Sequence, residues 1–494
     1  MTAEQLTQGL LAILPEILLL VLAFVVIGFD LVARDRKHRR ALGWISIVGL
    51  LVILIVVIAQ TIPLTATDAP PVQPVFSGMI RIDLTVQLFR IMFLVAAALT
   101  CLISIDFKPL KALSEYYGLI LFAVLGMSLM AASNNIIMLY LSLETTGIML
   151  YLLAGFMRDV RPSTEAGMKY FLFGAFTSTI MLYGLSLLYG FTGQISYQGI
   201  SAALVNLDKL PVMVALVLVT VGFGFKVAAV PFHMWTPDVY EGAPTPITAF
   251  ISVASKAAGF AVLLRFFLLV FGPVQEQWIG LIAALSVATM TVGNVLAIPQ
   301  RNIKRMLAYS SIAQAGYVLI GVAAVGTLGT AGVLYYLAAY VLTNIGAFAV
   351  VEAVTNMTGS ELIKDMAGFS RKSPGVAFGL LAAMLSLSGV PPLAGFFAKF
   401  YIFNAAVGYT DAAGLHSLIW LAVVGVLNSI VALYYYLIIL KVVYVDRSEG
   451  DEVEVKVSGT LKAGLGIAVA GMLFMGVFAA PWYTLATQAA QLLR

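Results

Sequence analysis

The stretch VGFGFKVAAVPFHMWTPDVYEGAPTPITAFISVASKAAGF (221–260) is mostly apolar, yet it holds two lysines that have apolar residues on both sides. Lys226 and Lys256 are separated by a segment rich in proline (231–246). A charge at the centre of a bilayer costs about 2.5–3.5 kcal/mol on insertion scales, and such residues usually face a bundle interior or a wet path. The stretch therefore predicts a broken membrane helix and a second helix, each with one buried amine.

The composition of the whole chain supports a membrane setting. Of its 494 residues 61% are hydrophobic and 11% charged, and the mean hydropathy is +1.00, which excludes an ordinary soluble domain. The apolar runs are long enough to cross a hydrocarbon core of about 30 Å as α-helix, at about 1.5 Å per residue. The alternating segments typical of a β-barrel are missing from the sequence. We therefore expect an all-α polytopic membrane protein.

We place fourteen membrane-spanning helices in the sequence. The first is expected to stay in the membrane, because its N-terminal flank has no basic residue as a signal peptide would. The predicted spans lie near 10–33, 42–61, 82–105, 115–132, 134–157, 167–192, 211–235, 244–271, 278–297, 306–325, 329–356, 374–407, 415–444 and 461–483.

The distribution of basic residues predicts the orientation. One set of alternate loops holds 20 of the 28 lysines and arginines, whereas the opposite side holds only Arg81, Arg90, Lys209 and Arg494. Cytoplasmic loops carry the basic excess, so both termini are expected outside the cytoplasm of a bacterial inner (plasma) membrane. The net charge of +4 is thus a topology signal, and the sequence has no basic, aromatic-lined surface that would indicate nucleic-acid binding.

The sequence offers no site for a redox cofactor, metal or nucleotide. Its single cysteine, Cys101, excludes cysteine-bound iron–sulfur and zinc sites, and its three histidines are scattered. A P-loop and a dinucleotide-binding glycine motif are both missing. We expect no cofactor in this chain.

Four charged residues within predicted spans are candidates for proton transfer: Glu144, Lys226, Lys256 and Lys399. A buried amine is destabilised by desolvation and stabilised by a nearby carboxylate, which makes it a switchable proton site. A permanent Glu144–Lys226 ion pair is the structural alternative. His233 is a possible relay, although a histidine near a helix end is as often an ordinary interfacial residue. Arg265 is nearer its helix end and is expected to reach the headgroups.

An internal repeat is indicated by GFGFK (222–226) and GFFAK (395–399), which lie 173 residues apart near proline-containing breaks. Paired breaks of this kind are typical of inverted repeats in transporters. We expect two inverted five-helix repeats, spans 4–8 (115–271) and 9–13 (278–444), with broken helices 7 and 12. An N-terminal three-helix segment (1–110) and a C-terminal helix (459–494) complete a single membrane domain (1–494).

Three segments resemble the subunit N family of bacterial proton-pumping NADH:quinone oxidoreductase, respiratory complex I, which includes mitochondrial subunit 2. They are HMWTPDVYEGAPTPITAFISVASKAAGF (233–260), RNIKRMLAYSSIAQAGY (301–317) and SLSGVPPLAGFFAKFYIF (386–403). The resemblance implies that Glu144, Lys226, Lys256 and Lys399 are the proton-translocating residues of an antiporter-like membrane-arm subunit. It implies other membrane-arm subunits as partners, including antiporter-like paralogues. Flavin, iron–sulfur clusters and quinone are expected elsewhere in the parent complex.

Two other functions stay open from the residues alone. The same lysines would serve a cation/proton antiporter, and sodium uptake that is independent of NADH would favour that function. In a purely structural scaffold, Lys226 and Lys399 would be inert.

Overall fold

The computed structural model describes residues 3–33, 39–66, 74–107, 109, 114–410, 417–447 and 457–493. Within these ranges the regular structure is helical, and β-structure is limited to isolated bridges. Thirteen of the described helical segments are long and apolar enough to cross a membrane. Two shorter apolar helices, Pro374–Ser388 and Ala394–Val407, together occupy the remaining predicted span, 374–407. The predicted all-α, multi-pass fold is therefore confirmed.

Polar side chains begin several of the helices. Asp83, Asn135 and Asn302 each accept a hydrogen bond from a backbone N–H in the first turn that follows, which satisfies a group the helix itself leaves unpaired. The α-helices are α1 (Ala3–Ala12), α2 (Leu14–Ala33), α3 (Arg39–Thr61), α4 (Leu84–Ser104), α5 (Ser114–Ala132), α6 (Ile136–Ala154), α7 (Arg161–Thr192), α8 (Tyr197–Leu204), α9 (Lys209–Val227), α10 (Trp235–Gly242), α11 (Thr245–Phe250), α12 (Lys256–Leu269), α13 (Gln275–Ala297), α14 (Ile303–Ala323), α15 (Thr327–Thr358), α16 (Phe369–Lys372), α17 (Pro374–Ser388), α18 (Ala394–Val407), α19 (Ile419–Tyr444), α20 (Gly459–Val477) and α21 (Ala479–Leu492).

Both proline-containing stretches interrupt a helix, as the sequence predicts. In the first, α9 ends at Val227 and the chain becomes helical again only at Trp235. In the second, α17 ends at Ser388 and α18 begins at Ala394. An interrupted helix frees backbone carbonyl and amide groups inside the bundle, where side chains can use them.

The two lysines of the G-F-x-x-K pattern lie on opposite sides of these breaks. Lys226 precedes its break, in the last turn of α9, whereas Lys399 follows its break, in the second turn of α18. The five-residue match therefore does not mark equivalent positions in the two halves of the chain. The division into two inverted five-helix repeats stays a prediction.

The core of the molecule is formed by α12, α14 and α15. These helices are buried around nearly their whole circumference, whereas α2, α3, α7 and α19 expose broad apolar faces. Polar side chains within membrane spans usually face the interior of the bundle, whereas the more apolar helices face lipid. The polar side chains on α12, α14 and α15 are therefore enclosed by protein.

One buried ion pair holds the N-terminal helices to the rest of the bundle, and a second joins two of those helices to each other. Arg265 on α12 donates two hydrogen bonds of 2.8 and 2.7 Å to the carboxylate of Asp83, and both side chains are fully enclosed. The expectation that Arg265 reaches the headgroups is therefore wrong, because this carboxylate binds it inside the protein. Glu16 and Arg90 form a second buried pair at 2.7 Å between α2 and α4.

Candidate functional site

Lys256 is the first residue of α12 and follows a single π-helical turn, Ile251–Ser255. Such turns widen a helix locally and often occur at functional sites. The Lys256 amine donates hydrogen bonds of 2.5 Å to both the carbonyl and the hydroxyl oxygen of Ser311 on α14. The Ser311 hydroxyl also accepts a bond of 2.7 Å from Tyr340 on α15. Three core helices thus meet at one buried amine.

Lys399 has a different environment, made by the second helix break. Its amine donates a bond of 3.1 Å to the carbonyl of Ser388, the last residue of α17. It also lies 4.6 Å from the centre of the Tyr317 ring, where the ring face attracts a cation. Gly389 permits this packing, since its φ of +89° suits glycine and a Cβ there would lie 3.0 Å from the Lys399 side chain.

A small cavity lies between the surroundings of Lys256 and those of Lys399. Its walls include Tyr340, which contacts Ser311, and Lys399 itself. The centre of a water molecule can occupy about 10 Å³ of it, roughly the minimum that one ordered water requires. The polar residues around the cavity give such a water hydrogen-bond partners: Gln314, Tyr336, Tyr340, Thr343, Ser386 and Lys399.

Gln314 is the centre of the hydrogen bonds beside this cavity. Its amide nitrogen donates to the Tyr436 hydroxyl and to the Leu387 carbonyl at 3.1 Å each, and its oxygen accepts from Tyr336. Tyr436 is bonded in turn to Ser310. Hydroxyl groups both donate and accept, so such a chain can reorient without leaving a group unpaired.

Lys226 is buried at the end of α9, with 2% of its surface exposed. Within the described part of the chain, its amine has no hydrogen-bond partner and forms no ion pair. Its aliphatic stem crosses Gly259 of α12, where a Cβ would lie 3.2 Å from Lys226 Cγ. Gly259 is three residues after Lys256, so the two lysines occupy adjacent turns of the contact between α9 and α12.

Glu144 is close enough for its charge to act on the Lys226 amine, but the two described side chains do not form an ion pair. Its Oε1 atom is buried without a hydrogen-bond partner. The residue is half-buried at the edge of an exposed apolar stripe on α6, formed by Ile137, Leu141, Ile148 and Leu152. The alternative of a permanent Glu144–Lys226 ion pair is therefore not what the structure shows.

His233 lies within the first helix break, between α9 and α10. Its Nδ1 atom is buried and has no partner among the described residues. The structure brings it into hydrogen-bond contact with none of the four candidate residues. Its role as a relay stays a prediction.

Ser311, Gln314 and Tyr340 complete the site, and sequence reasoning did not identify them. Two of them lie in RNIKRMLAYSSIAQAGY (301–317), where polar side chains recur at helical spacing within a buried apolar helix. That recurrence is the signal that could have indicated them. Among the described residues, no group of three or more histidine, cysteine, aspartate or glutamate side chains could hold a metal ion.

The chain is similar to one family of proteins and to relatives that share one name. A family described as NADH:quinone oxidoreductase/Mrp antiporter matches residues 133–431. A protein of Dehalococcoides mccartyi named NADH-quinone oxidoreductase subunit N is 39% identical over 97% of this chain and 99% of its own length. One of the same name from Parvibaculum lavamentivorans is 41% identical, over 97% and 96% of the two lengths.

Solved structures share the architecture. A chain of respiratory complex I from Thermus thermophilus matches with a TM-score of 0.78 at 30% identity, over 96% of this chain and 99% of that one. A chain of the Mrp complex from Dietzia sp. DQ12-45-1b matches with a TM-score of 0.82 over 97% of both chains. The latter is only 20% identical, so it shows likeness of fold alone.

Proposed function

This chain belongs to the NADH-quinone oxidoreductase subunit N family, and we propose that protons cross the membrane along its line of embedded charges. The line consists of Glu144, Lys226, Lys256 and Lys399. One observation carries the proposal: Lys256 is hydrogen-bonded through Ser311 to Tyr340, which borders the cavity that also contains Lys399. Polar connections of this kind are expensive to bury and are typical of proton relays in membrane proteins.

The groups present can pass a proton in short steps. A lysine ammonium loses a proton readily when it is desolvated, and the Ser311 hydroxyl can accept that proton while passing its own to the Tyr340 oxygen. For this the Tyr340 hydroxyl, which donates to Ser311 in the structure, must first turn and donate its proton into the cavity. A water in the small cavity would complete the connection between Tyr340 and Lys399. Between Lys226 and Lys256 no hydrogen bond is formed among the described residues. This step requires a bridging water or a side-chain movement, as does the step between Glu144 and Lys226.

Membership of this family also suggests in which membrane the chain lies and which subunits surround it. We propose that it lies in a bacterial inner membrane with both termini outside the cytoplasm, as the distribution of basic residues indicates. Other membrane-arm subunits, including antiporter-like paralogues, would cover part of the exposed apolar surface. Electron transfer through flavin, iron–sulfur clusters and quinone would take place in other subunits, with no redox chemistry and no cofactor in this one.

The test is NADH-driven proton pumping by membrane vesicles that contain the assembled complex. Lys256→Met keeps the length of the side chain and removes the amine, so pumping per NADH oxidised should fall while the complex still assembles. Lys441→Met is the control, because 65% of that side chain is exposed and its amine pairs with a surface aspartate. Undiminished pumping by an assembled Lys256→Met complex would overturn the route. NADH-independent sodium uptake would favour the antiporter.

A further inference from the structure

Glu352 is a buried acid that the proposed route does not use. It lies on α15 with 1% of its surface exposed, and neither carboxyl oxygen has a hydrogen-bond partner among the described residues. An isolated carboxylate in such a place is strongly unfavourable unless a cation or hydrogen-bond donors compensate it. A group of this kind inside a membrane protein is a functional candidate by default.

The titratable groups near Glu352 do not stabilise a negative charge, and the Asn356 amide is the one neighbouring group among the described residues that does. The nearby titratable side chains are the phenols of Tyr116 and Tyr117 on α5 and the carboxylate of Asp106 after α4. Asp106 is itself bonded to Arg40 and to the hydroxyl of Thr460, so those donors are already engaged. Among the described residues, no cation pairs with Glu352. These surroundings tolerate the proton-bearing form of the acid.

A large cavity of about 790 Å³ approaches Glu352 from the side of the basic loops. Thr355 and Asn356, one turn further along α15, line this cavity, and the Asn356 amide is close enough to stabilise a charge on the Glu352 carboxyl. Its wall also carries Lys169 and Arg305, both on the side predicted to be cytoplasmic. Water from that side can therefore reach the turn next to the acid.

The same helix connects this acid to the proposed proton route. Asn344, on the Lys256 side, donates a bond of 2.6 Å to Ser252 in the π-helical turn. It precedes Glu352 by eight residues, about 12 Å along a helix axis. Phe348, fully buried, lies midway between them. The row of residues at four-residue spacing on α15 is Tyr336, Tyr340, Asn344, Phe348, Glu352 and Asn356.

We infer that Glu352 is a proton-binding site one helical turn from the cavity wall formed by Thr355 and Asn356, separated from the lysine line by the apolar side chain of Phe348. A carboxylate oxygen of Glu352 forms an O–H bond with a proton delivered by cavity water from the cytoplasmic side. The proton leaves toward Asn344 when water spans the Phe348 position. That second step rests on the proposed function, whereas binding of the proton does not.

The experiment compares purified intact complexes by infrared spectroscopy and by pumping. Glu352→Gln keeps the shape of the side chain but cannot hold the acid proton. It should remove one carbonyl-stretching band of a protonated carboxylic acid that shifts in heavy water. Glu276→Gln, which changes an exposed glutamate, should leave that band intact. Protons pumped per NADH should fall in Glu352→Gln to the level of Lys256→Met.

The outcomes separate this inference from the proposed function. An infrared spectrum unchanged by Glu352→Gln overturns the proton-binding site. The site is also overturned if NADH oxidation by the complex depends on sodium and the infrared spectrum shows Glu352 as an ionised carboxylate. Loss of the band with full pumping, while Lys256→Met pumps poorly, overturns the connection to the route. Loss of the band with full pumping in both variants supports the site and rejects the route. If Glu352→Gln does not assemble, Asn356→Ala must shift the band, and an unshifted band contradicts the site.

Discussion

The pair formed by Asp83 and Arg265 should be among the most sensitive ionic contacts in the molecule. Both side chains are enclosed and joined by two short hydrogen bonds. Asp83→Asn removes the negative charge and leaves the guanidinium buried, a change that destabilises proteins by about 3–5 kcal/mol. The asparagine oxygen can still accept the hydrogen bond from Val86 that begins α4, so the helix cap is retained.

The loss of stability caused by Asp83→Asn should be measurable at Cys101. This residue is the chain's single cysteine and lies fully buried on α4. Cys101 lies near the opposite end of α4 from Asp83, so alkylation of its thiol requires the whole of α4 to separate from its neighbours. Since about 1.4 kcal/mol corresponds to a tenfold change, a loss of 3–5 kcal/mol raises the open population roughly a hundredfold to several thousandfold. Asp83→Ala should add about 1 kcal/mol, because it removes the helix cap as well.

The assay is the rate of Cys101 alkylation in the intact complex, followed by mass spectrometry of this chain. Asp446→Asn is the matched control, since it breaks an ion pair in which the Lys441 side chain is 65% exposed. Exposed pairs contribute about 0–1 kcal/mol, so the control rate should rise by roughly fivefold at most. If Asp83→Asn is labelled no faster than this control, the assignment of the pair as a stabilising lock is refuted.

Three further predictions follow from named contacts. Ser311→Ala removes one of the two acceptors of Lys256, so pumping, measured in vesicles, should fall while assembly, measured by gel analysis of the purified complex, stays normal. Gly395→Ala would place a Cβ 1.9 Å from the Ser386 carbonyl oxygen, and the purified complex should contain less of this chain on gel analysis. Partial burial raises the pKa of the Asp238 carboxyl, but hydrogen bonds from Lys169 and Arg305 outweigh that effect and hold the pKa below its usual range. The ionised Asp238 carboxylate therefore stabilises the folded protein above about pH 4, and this contribution is lost as the pH falls through the lowered pKa of Asp238. The difference in melting temperature between wild type and Asp238→Asn should disappear in acid.

The membrane spans and the two helix breaks could be predicted from the sequence because their causes are local. A run of apolar residues predicts a span from its own length, and the prolines near Lys226 and Lys399 remove backbone donors where they occur. The prolines also place each lysine correctly relative to its break, since Pro231 follows Lys226 and Pro391 precedes Lys399. What failed was the interpretation of GFGFK and GFFAK as matching positions of two halves. The chain needs only one irregular stretch per broken helix, and a five-residue pattern does not determine on which side of the lysine that stretch falls.

The partners of the charged residues could not be predicted, because they depend on which helices meet. Lys256 binds Ser311, 55 residues away, and Arg265 binds Asp83, 182 residues away. For Lys256 the sequence shows a buried charge without showing what compensates it, and for Arg265 it indicated an interfacial position because the partner was not visible. The position of Glu144 on a half-exposed stripe likewise follows from the packing of α6 against its neighbours, which no local pattern contains.

The separation of Asp83 from Arg265 also has a consequence for how the chain is made. Asp83 is synthesised 182 residues before its partner, which at about 5–20 residues per second is a delay on the order of 10–40 s. During that interval Arg81, whose Nε lies 3.7 Å from a carboxylate oxygen of Asp83, is the cation available to it, and the guanidinium that later donates two hydrogen bonds is still missing. Asp83 therefore depends on Arg81 and on water or lipid headgroups until α12 arrives, and nascent chains that stop before α12 should be preferred substrates for membrane proteases.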